Sequence, residues 1–233
     1  MGKLLSAIPK GSILKLGENG KATRFIKLDT DHYGAASGVT MLREKTFARI
    51  AYNAGYDNFN VYMGATLDNF CDGIFPLKLD PEIQACIVPV SIVVAEGNGV
   101  ATLHTIKRKG FSLSCTEVGL SGWQTEGTLF DYFSDNNKRI AYLEDTTTAI
   151  FWGLRSPYSG TGRAYRVNTD GTLGNYSVGY PDFAPRPAFN LKSQIVVSDN
   201  PGSDGAYTVE SVPVAGSEAG VYVKQNGVWV KEL

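Results

Sequence analysis

The chain has few side chains that could carry acid–base or nucleophilic chemistry. Its only histidines are His32 and His104, and neither lies near the strained Gly-x-Ser-x-Gly turn that presents a catalytic serine. His32 stands beside Asp29 and Asp31, a grouping that could hold a metal ion, although a hydrated loop after a strand is the favoured interpretation. We therefore expect no Ser-His-Asp hydrolase, no catalytic residue and no metal site.

The cysteines point away from thiol chemistry. Cys71, Cys86 and Cys115 are odd in number, widely spaced and without a CxxC pair, which argues against a disulfide framework and against structural zinc. All three stand in apolar or helical surroundings, where small buried thiols are common. This usage predicts a protein that folded in a reducing cytoplasm.

Three oxygen- or glycine-rich segments could bind ions or phosphate. The segment 17–21 (GENGK) is too short for a P-loop, which has four residues between its glycines. The segments 168–170 and 199–204 lack the ligand count of a calcium loop, and turn chemistry explains them better. We therefore expect no cofactor.

Composition describes an ordinary globular protein. Of 233 residues, 43% are hydrophobic and 19% charged, with a net charge of −1. This balance offers no electrostatic reason to expect nucleic acid. The longest apolar run, 87–95, is interrupted by Pro89 and Ser91 and is too short to span a bilayer, and the N-terminus lacks the apolar run of a signal peptide. Neither nucleic acid nor membrane is an expected partner.

Turn and cap signals predict short strands and short helices. Asp80-Pro81 predicts a helix start with Asp80 as the N-cap, and Ser114–Glu117 forms a capping box that predicts another short helix. Further helical turns are predicted at 64–70, 129–133 and 136–142. Two hairpins are expected, at 11–28 around the turn 17–20 and at 163–173 around Asp170-Gly171.

The amino-acid composition changes near residue 198, which predicts that the chain is divided into two parts. The segment 198–205 (SDNPGSDG) is typical of a linker or long turn. Beyond it, 205–214 and 220–230 are predicted to form short strands, the last pair joined at Gln225-Asn226-Gly227. We therefore expect a main domain over 1–198 and a small β-hairpin appendage or attachment segment over 199–233. The appendage must pack on the main domain or on another subunit, because it has too little apolar content to fold alone.

The stretch 139–191 alternates aromatics, arginines and glycines without helical periodicity. An arginine has five N–H donors and can tie several loop carbonyls together, so one set of side chains is predicted to be buried scaffold: Trp152, Leu154, Arg155, Arg186 and Phe189. Aromatics on Gly/Ser-rich loops can instead stack on sugars or anchor a protein interface, and four are predicted to contact a ligand: Tyr158, Tyr176, Tyr180 and Phe183. The alternative for these four is a small apolar cluster beneath a long loop.

Five segments in order carry a family resemblance over about 10–198. They are FSLSCTEVGL, EGTLFDYFSDNNKRIAYL, FWGLRSP, AYRVNTDGTL and RPAFNL. This series resembles an uncharacterised domain family of bacteria and their tailed phages, and its closing part is similar to the C-type-lectin-like superfamily that includes the formylglycine-generating (sulfatase-modifying) enzymes. The resemblance implies an α+β, C-type-lectin-like fold with short helices and small antiparallel sheets, followed by the C-terminal β appendage.

The same resemblance implies a function. Many relatives are encoded in phage structural gene clusters, so we expect a non-enzymatic virion protein, assembled in the bacterial host cytoplasm and displayed on capsid or tail for decoration or receptor binding. Its expected partners are other virion proteins and host-surface carbohydrate, and it is expected to be oligomeric in the particle.

Two alternatives come from other classes. One is an enzyme of the formylglycine-generating type with an altered site, although the cysteine pair of those enzymes has no counterpart here because no cysteine follows Cys115. The other is a bacterial surface adhesin, which would need an export signal or anchor.

Overall fold

The chain folds mostly into β-sheet, with a few short helices. The structure is a computed structural model that describes residues 2–55, 59–160 and 162–213 and the backbone of two later strands, Val221–Gln225 and Val228–Lys231. Strands account for 39% of the residues and helices for 11%. The fifteen strands of the described part are β1 Lys3–Leu4, β2 Ile13–Glu18, β3 Lys21–Thr30, β4 Val39–Arg43, β5 Val90–Gly97, β6 Val100–Arg108, β7 Gly110–Phe111, β8 Trp152–Pro157, β9 Arg163–Val167, β10 Leu173–Ser177, β11 Ala188–Leu191, β12 Val196–Val197, β13 Ala206–Pro213, β14 Val221–Gln225 and β15 Val228–Lys231.

In the described part of the chain, ten strands form one large sheet. Its order is β1-β12-β13-β2-β3-β4-β11-β7, and β14 extends from β13 and pairs with β15. All pairs are antiparallel except β13 with β2, which run parallel. The first and last strands of the main path, β1 and β7, are two residues long, so the large sheet exposes little edge there.

Two smaller antiparallel sheets complete the β structure. One contains β10, β9 and β8, and the other is the long ribbon of β5 and β6. The α-helices are single turns: α1 Thr66–Asn69, α2 Pro81–Gln84 and α3 Asn136–Arg139. A π-helical turn at Phe70–Ile74 and two 3₁₀ turns, at Leu5–Ala7 and Pro76–Lys78, are equally short. No helix within the described residues is long and apolar enough to cross a membrane.

The two internal hairpins predicted from turn chemistry are confirmed. β2 pairs with β3 around Asn19 and Gly20, which both have positive φ, 52° and 72°, as a tight hairpin turn requires. The actual turn is therefore shorter than the predicted 17–20. β9 pairs with β10 across Asp170-Gly171, where Gly171 has φ 80°.

Two helix predictions were wrong in detail. α2 begins at Pro81 as expected, but the Asp80 side chain makes no capping hydrogen bond. It lies against Gly17 instead, so closely that a Cβ at that glycine would overlap it. The expected helices at 129–133 and 136–142 reduce to one turn, α3, capped by Asp135.

The capping box at Ser114–Glu117 forms, but no helix follows it. The Ser114 N–H donates to Glu117 Oε2 at 3.0 Å, and the Glu117 N–H donates to Ser114 Oγ at 3.1 Å. The chain then makes a turn through 115–119, and Gly119 reverses it with φ 71°. The predicted capping box is therefore confirmed, whereas the predicted helix is wrong because the chain makes only one turn after it.

The C-terminal segment joins the large sheet. β13 pairs with β2 through Ala206–Thr208 and with β12 on its other edge, so this part of the predicted appendage is an interior strand. β14 and β15 form the predicted last hairpin, while its turn residues Asn226 and Gly227 lie outside the described residues. A boundary at 198/199 stays a prediction.

The core has two clusters of buried apolar side chains. One contains Trp152 and Phe183 and draws its members from the three-stranded sheet, the β5–β6 ribbon and the large sheet. The other packs Phe25, Phe75 and Phe189 on the large sheet, with ring centroids 5.3–6.4 Å apart. These clusters fix the sheets against which the loops of 139–191 lie.

Candidate functional site

A hairpin places an arginine and a tyrosine side by side at the surface. Arg166 on β9 lies opposite Gly174 on β10, and Tyr176 is two residues further along β10. Side chains two apart share a face, and diagonal neighbours across a strand pair are within reach of long side chains. Arg166 and Tyr176 therefore meet on one face of the three-stranded sheet.

Five side chains stack in a continuous row on this face. The Arg166 guanidinium lies 3.9 Å from the Phe151 ring centroid and 4.8 Å from that of Tyr176. Arg49 also lies over Phe151, at 5.2 Å. The row ends at Tyr180, whose ring packs edge-on against Tyr176 with centroids 5.9 Å apart and planes at 74°. We call these residues, Arg49, Phe151, Arg166, Tyr176 and Tyr180, the tyrosine–arginine ladder.

Asp182 ties the two guanidinium groups together. Its carboxylate accepts a hydrogen bond from Arg49 Nη1 at 3.1 Å and forms an ion pair with Arg166. The Asp182 and Arg166 side chains are only 16% and 12% exposed, and burial lowers the pKa of the Arg166 guanidinium. Two cations therefore share one anion, and the ladder keeps a net positive charge.

The outer end of the ladder is open to solvent. Tyr180 is 61% exposed and Tyr176 is 38% exposed. Cation–π contacts and the ion pair beneath them restrict the ring positions, so a ligand would find aromatic faces already ordered. Flat aromatic faces with a polar hydroxyl can stack on a sugar ring or anchor a protein interface.

The structure brings together two of the four aromatics predicted to contact a ligand. Tyr158 packs instead on Tyr165, with centroids 5.4 Å apart, on the sheet face opposite Arg166 because adjacent strand residues alternate. Phe183 is fully buried and packs against Tyr52. Its predicted place in a ligand surface is therefore corrected: Phe183 is a core residue.

The side chains predicted as scaffold lie in the interior. Trp152, Leu154, Arg155 and Phe189 are 0% exposed and Arg186 is 2% exposed. The Trp152 indole N–H donates to the Arg139 carbonyl at 2.8 Å. Arg186 donates to the carbonyls of Arg43 and Glu44 and, at 3.4 Å, to that of Arg139.

Arg155 is the most completely bonded of these groups. It makes two hydrogen bonds to Glu117, at 2.6 and 2.7 Å, and three to backbone carbonyls, of Val93, Ser112 and Glu126. Burial alone would lower the pKa of the guanidinium, but Glu117 outweighs it and the pKa rises. Tyr33 Oη donates to the same Glu117 carboxylate at 2.9 Å.

His32 lies in a row with Asp29 and Thr128, an arrangement that resembles a catalytic base and the acid that orients it. Its Nδ1 lies 3.6 Å from Asp29, its Nε2 lies 3.1 Å from Thr128 Oγ1, and its ring stacks on Phe130 at 3.8 Å. Asp29 is shared, since its Oδ1 pairs with Lys10 at 3.0 Å while its Oδ2 faces the imidazole. Within the described residues, no three or more His, Cys, Asp or Glu side chains are placed to hold a metal ion.

The three thiols are poor candidates for covalent chemistry. Cys71, Cys86 and Cys115 are free and buried. Burial raises the pKa of each thiol, which disfavours the thiolate that acts as a nucleophile.

Four members of the site were missed from the sequence: Arg49, Phe151, Arg166 and Asp182. Phe151 and Arg166 belong to the aromatic–arginine stretch, and their alternation with Tyr176 was the signal that could have identified them. Asp182 stands next to Phe183 but offered no motif. Its partner Arg49 is 133 positions away in the chain, so only the folded structure reveals the pair.

One comparison with known proteins gives a match. A family model described as a domain of unknown function (DUF6273) matches residues 37–193, from just before β4 to just after β11. No curated protein matches the chain, and no solved structure does. The matched span includes the whole ladder and the buried Arg155 network.

Proposed function

The chain belongs to the DUF6273 domain family, and from that premise we propose that it is a non-enzymatic binding protein whose ligand surface is the outer end of the tyrosine–arginine ladder. We propose further that it is a phage virion protein, displayed on capsid or tail, with a C-type-lectin-like fold. The five-segment resemblance supports the origin and the fold, and the ladder supports the binding role.

One observation carries the binding role: the exposed Tyr176 is held against a partly buried guanidinium, and the exposed Tyr180 packs on Tyr176. An exposed tyrosine alone is common and needs no explanation. Here Tyr176 covers one side of Arg166, and Phe151 and Asp182 complete its surroundings. A surface with little freedom left binds with a smaller entropic cost than a mobile loop.

Host-surface carbohydrate is the ligand class that we favour, with a neighbouring virion subunit second. Tyr176 and Tyr180 meet at 74°, so the two rings form a corner that can contact a sugar ring on two sides. The remaining positive charge at Arg49, 41% exposed on its side chain, would favour acidic sugars.

The enzyme alternative receives less support from the site. An enzyme of the formylglycine-generating type requires reactive cysteines, and burial has raised the pKa of all three thiols here. Replacing Cys71, Cys86 and Cys115 together by alanine should therefore leave the binding activity in place.

The binding role is tested with single tyrosine variants on an array of bacterial surface oligosaccharides. Tyr180→Ala and Tyr176→Ala should each weaken binding about 30-fold, the effect of losing about 2 kcal/mol at an aromatic hot spot. The matched control is Tyr142→Ala, because Tyr142 is similarly exposed, at 42%, and lies outside the ladder. Equal binding by the Tyr180 and Tyr176 variants and the wild type would contradict the proposal.

The virion role needs a separate measurement. Mass spectrometry of purified phage particles should detect this chain at a stoichiometry of a structural component. Its absence from intact particles would remove the virion assignment and leave the binding surface to be judged on the array alone.

A further inference from the structure

The β5–β6 ribbon has one protected edge and one open edge. On the β5 side, the Val93 carbonyl accepts from Arg155 Nε at 2.9 Å, and the Ala95 N–H donates to Glu126 Oε1 at 2.9 Å. Two buried side chains thus take the place of a neighbouring strand. An unpaired strand edge is a template for pairing with another chain, and here β5 is closed to it.

The strand register shows which β6 groups remain open. The backbone N–H and C=O groups of Val93 and Ala95 are directed away from β6. The hydrogen bonds between the two strands are therefore made by Ile92 and Val94, which lie opposite Ile106 and His104. The intervening residues on β6, Leu103 and Thr105, therefore direct their N–H and C=O groups outward. In the described part of the chain these groups have no hydrogen-bond partner.

The side chains of the open edge do not protect it over 100–106, although its register against β5 shifts between Leu103 and Val100. Its sequence, VATLHTI, contains no proline, lysine or glutamate, the residues with which proteins commonly blunt an edge. Leu103 is 44% exposed and Val100 41% exposed. With nine residues, β6 is also much longer than the edge strands β1 and β7.

The edge is held rigidly at both ends. At the turn, the Asn98 N–H donates to Asn60 Oδ1 at 2.6 Å. At the other end, Arg108 makes two hydrogen bonds to Asp68, at 2.8 and 2.7 Å, and its Nη1 donates to the Lys107 carbonyl. The open section between these anchors is therefore a preformed template.

We propose that β6 pairs antiparallel with β6 of a second copy of this chain, with Leu103 opposite Leu103 of that copy across a two-fold axis. This pairing satisfies the outward backbone groups of both strands and covers the exposed Leu103 side chains. It is independent of ligand binding at the ladder.

Charge favours the antiparallel orientation over the parallel one. The basic residues of β6 lie at its C-terminal end, where Lys107 is exposed, and Lys109 follows. A parallel arrangement would place these ends side by side. An axis at Leu103 sets Lys107 opposite Gly99 of the second copy, so the two Lys107 residues are about 27 Å apart. An axis at Thr105 would bring them to about 14 Å, still beyond the Debye length at physiological salt, so the register rests on covering the exposed Leu103.

The dimer is expected to be weak by itself. One strand pair covers less area than the interfaces that hold stable complexes together, so association should appear in the high-micromolar range by sedimentation equilibrium. The proposal would be overturned if the wild-type chain stays monomeric throughout that range and the Leu103→Cys variant forms no interchain disulfide.

Two variants test the edge itself. Thr105→Pro removes an outward N–H that no intramolecular bond uses, so the monomer should fold, as proline is tolerated on an edge strand with its N–H side facing solvent. It should weaken dimerisation at least 10-fold, whereas Thr105→Val, which keeps the N–H, should dimerise like the wild type. An unchanged melting temperature for Thr105→Pro establishes that the fold is intact. Unchanged dimerisation of Thr105→Pro would place the interface elsewhere and overturn the proposal.

A cysteine pair tests the register. Leu103→Cys should form an interchain disulfide under mild oxidation, since Cα atoms of a directly opposed hydrogen-bonded pair lie about 5.5 Å apart, within disulfide range. Thr105→Cys is the matched control, because the two Thr105 positions would be about 14 Å apart. The native thiols are buried and should not compete. Cross-linking of the Thr105 variant but not of the Leu103 variant would overturn the register.

Discussion

Arg155 and Arg166 lie eleven positions apart and use the same side chain in opposite ways. Arg155 is 0% exposed, and its five hydrogen bonds, two to Glu117 and three to carbonyls, match the five N–H groups of a guanidinium. Arg166 keeps contact with solvent. It depends on two aromatic rings and Asp182, and its Nε has no hydrogen-bond partner among the described residues.

The contrast shows what burial requires of a charge. Burying a guanidinium is costly unless its donors find acceptors, because an unpaired buried charge loses its hydration without compensation. Arg155 therefore holds loops in place and has nothing left for a ligand. Arg166 is 12% exposed and offsets the partial burial of its charge with Asp182 and two ring faces, so it orders the rings beside it, which is the role we assign to it.

The largest expected effect is at Arg155. Arg155→Met leaves the Glu117 carboxylate buried without its partner and three carbonyls without their donor, so the free energy of unfolding should fall by about 3–5 kcal/mol in urea denaturation. Arg163→Met, at an exposed position on β9, is the control and should change it by at most about 0.5 kcal/mol. Equal losses in the free energy of unfolding at both positions would show that Arg155 stabilises the fold no more than an exposed arginine does.

A smaller effect of opposite sign is expected at Glu126, beside Arg155. Burial raises the pKa of the Glu126 carboxyl, although the charge of Arg155 partly opposes it. The folded state therefore binds the proton more readily than the unfolded state, and the cost of the buried carboxylate is present at neutral pH and vanishes as the pH falls through the folded-state pKa.

Glu126→Gln should therefore stabilise the fold at neutral pH, on the order of 1 kcal/mol, the usual scale for a change at one buried group. The gain over the wild type should shrink as the pH is lowered toward 4, the ordinary range of a glutamate. Melting temperatures across this range provide the measurement, with the exposed Glu210→Gln as control. A gain that grows at low pH would mean that the carboxylate is favoured in the folded state.

The smallest effect is expected at Arg166. Arg166→Gln removes the ring contacts and a partly exposed ion pair, and the free energy of unfolding should fall by about 1 kcal/mol or less. Added salt should reduce the difference between variant and wild type, because the Asp182 pair is near the surface. A loss as large as that of Arg155→Met would show that Arg166 is scaffold as well.

Local signals predicted the parts of the fold that local physics decides. Asn19-Gly20 and Asp170-Gly171 favour backbone conformations that reverse a chain whatever surrounds them, and both hairpins formed. Asp80 failed as a cap for a non-local reason, since its side chain lies against Gly17 on a distant strand.

The candidate site was accessible from the sequence only in part. Tyr176 and Tyr180 were predicted from their Gly/Ser-rich loop, and both are exposed, whereas Phe183 in the same loop is in the core. Loop composition indicates where aromatics are displayed, but it does not tell which ring turns inward. That choice depends on the space left beside Tyr52, against which Phe183 packs.

The order of residue types along this chain determined its β-rich class, its tight turns and its buried thiols, because those follow from backbone preferences and from transfer of apolar groups out of water. Tertiary structure alone decided that Asp182 meets Arg49, that Glu117 meets Arg155, and that the β6 edge stays open while the β5 edge is covered. These outcomes depend on which distant segments become neighbours. Charge pairing and edge protection act through space, and sequence separation carries almost no information about them.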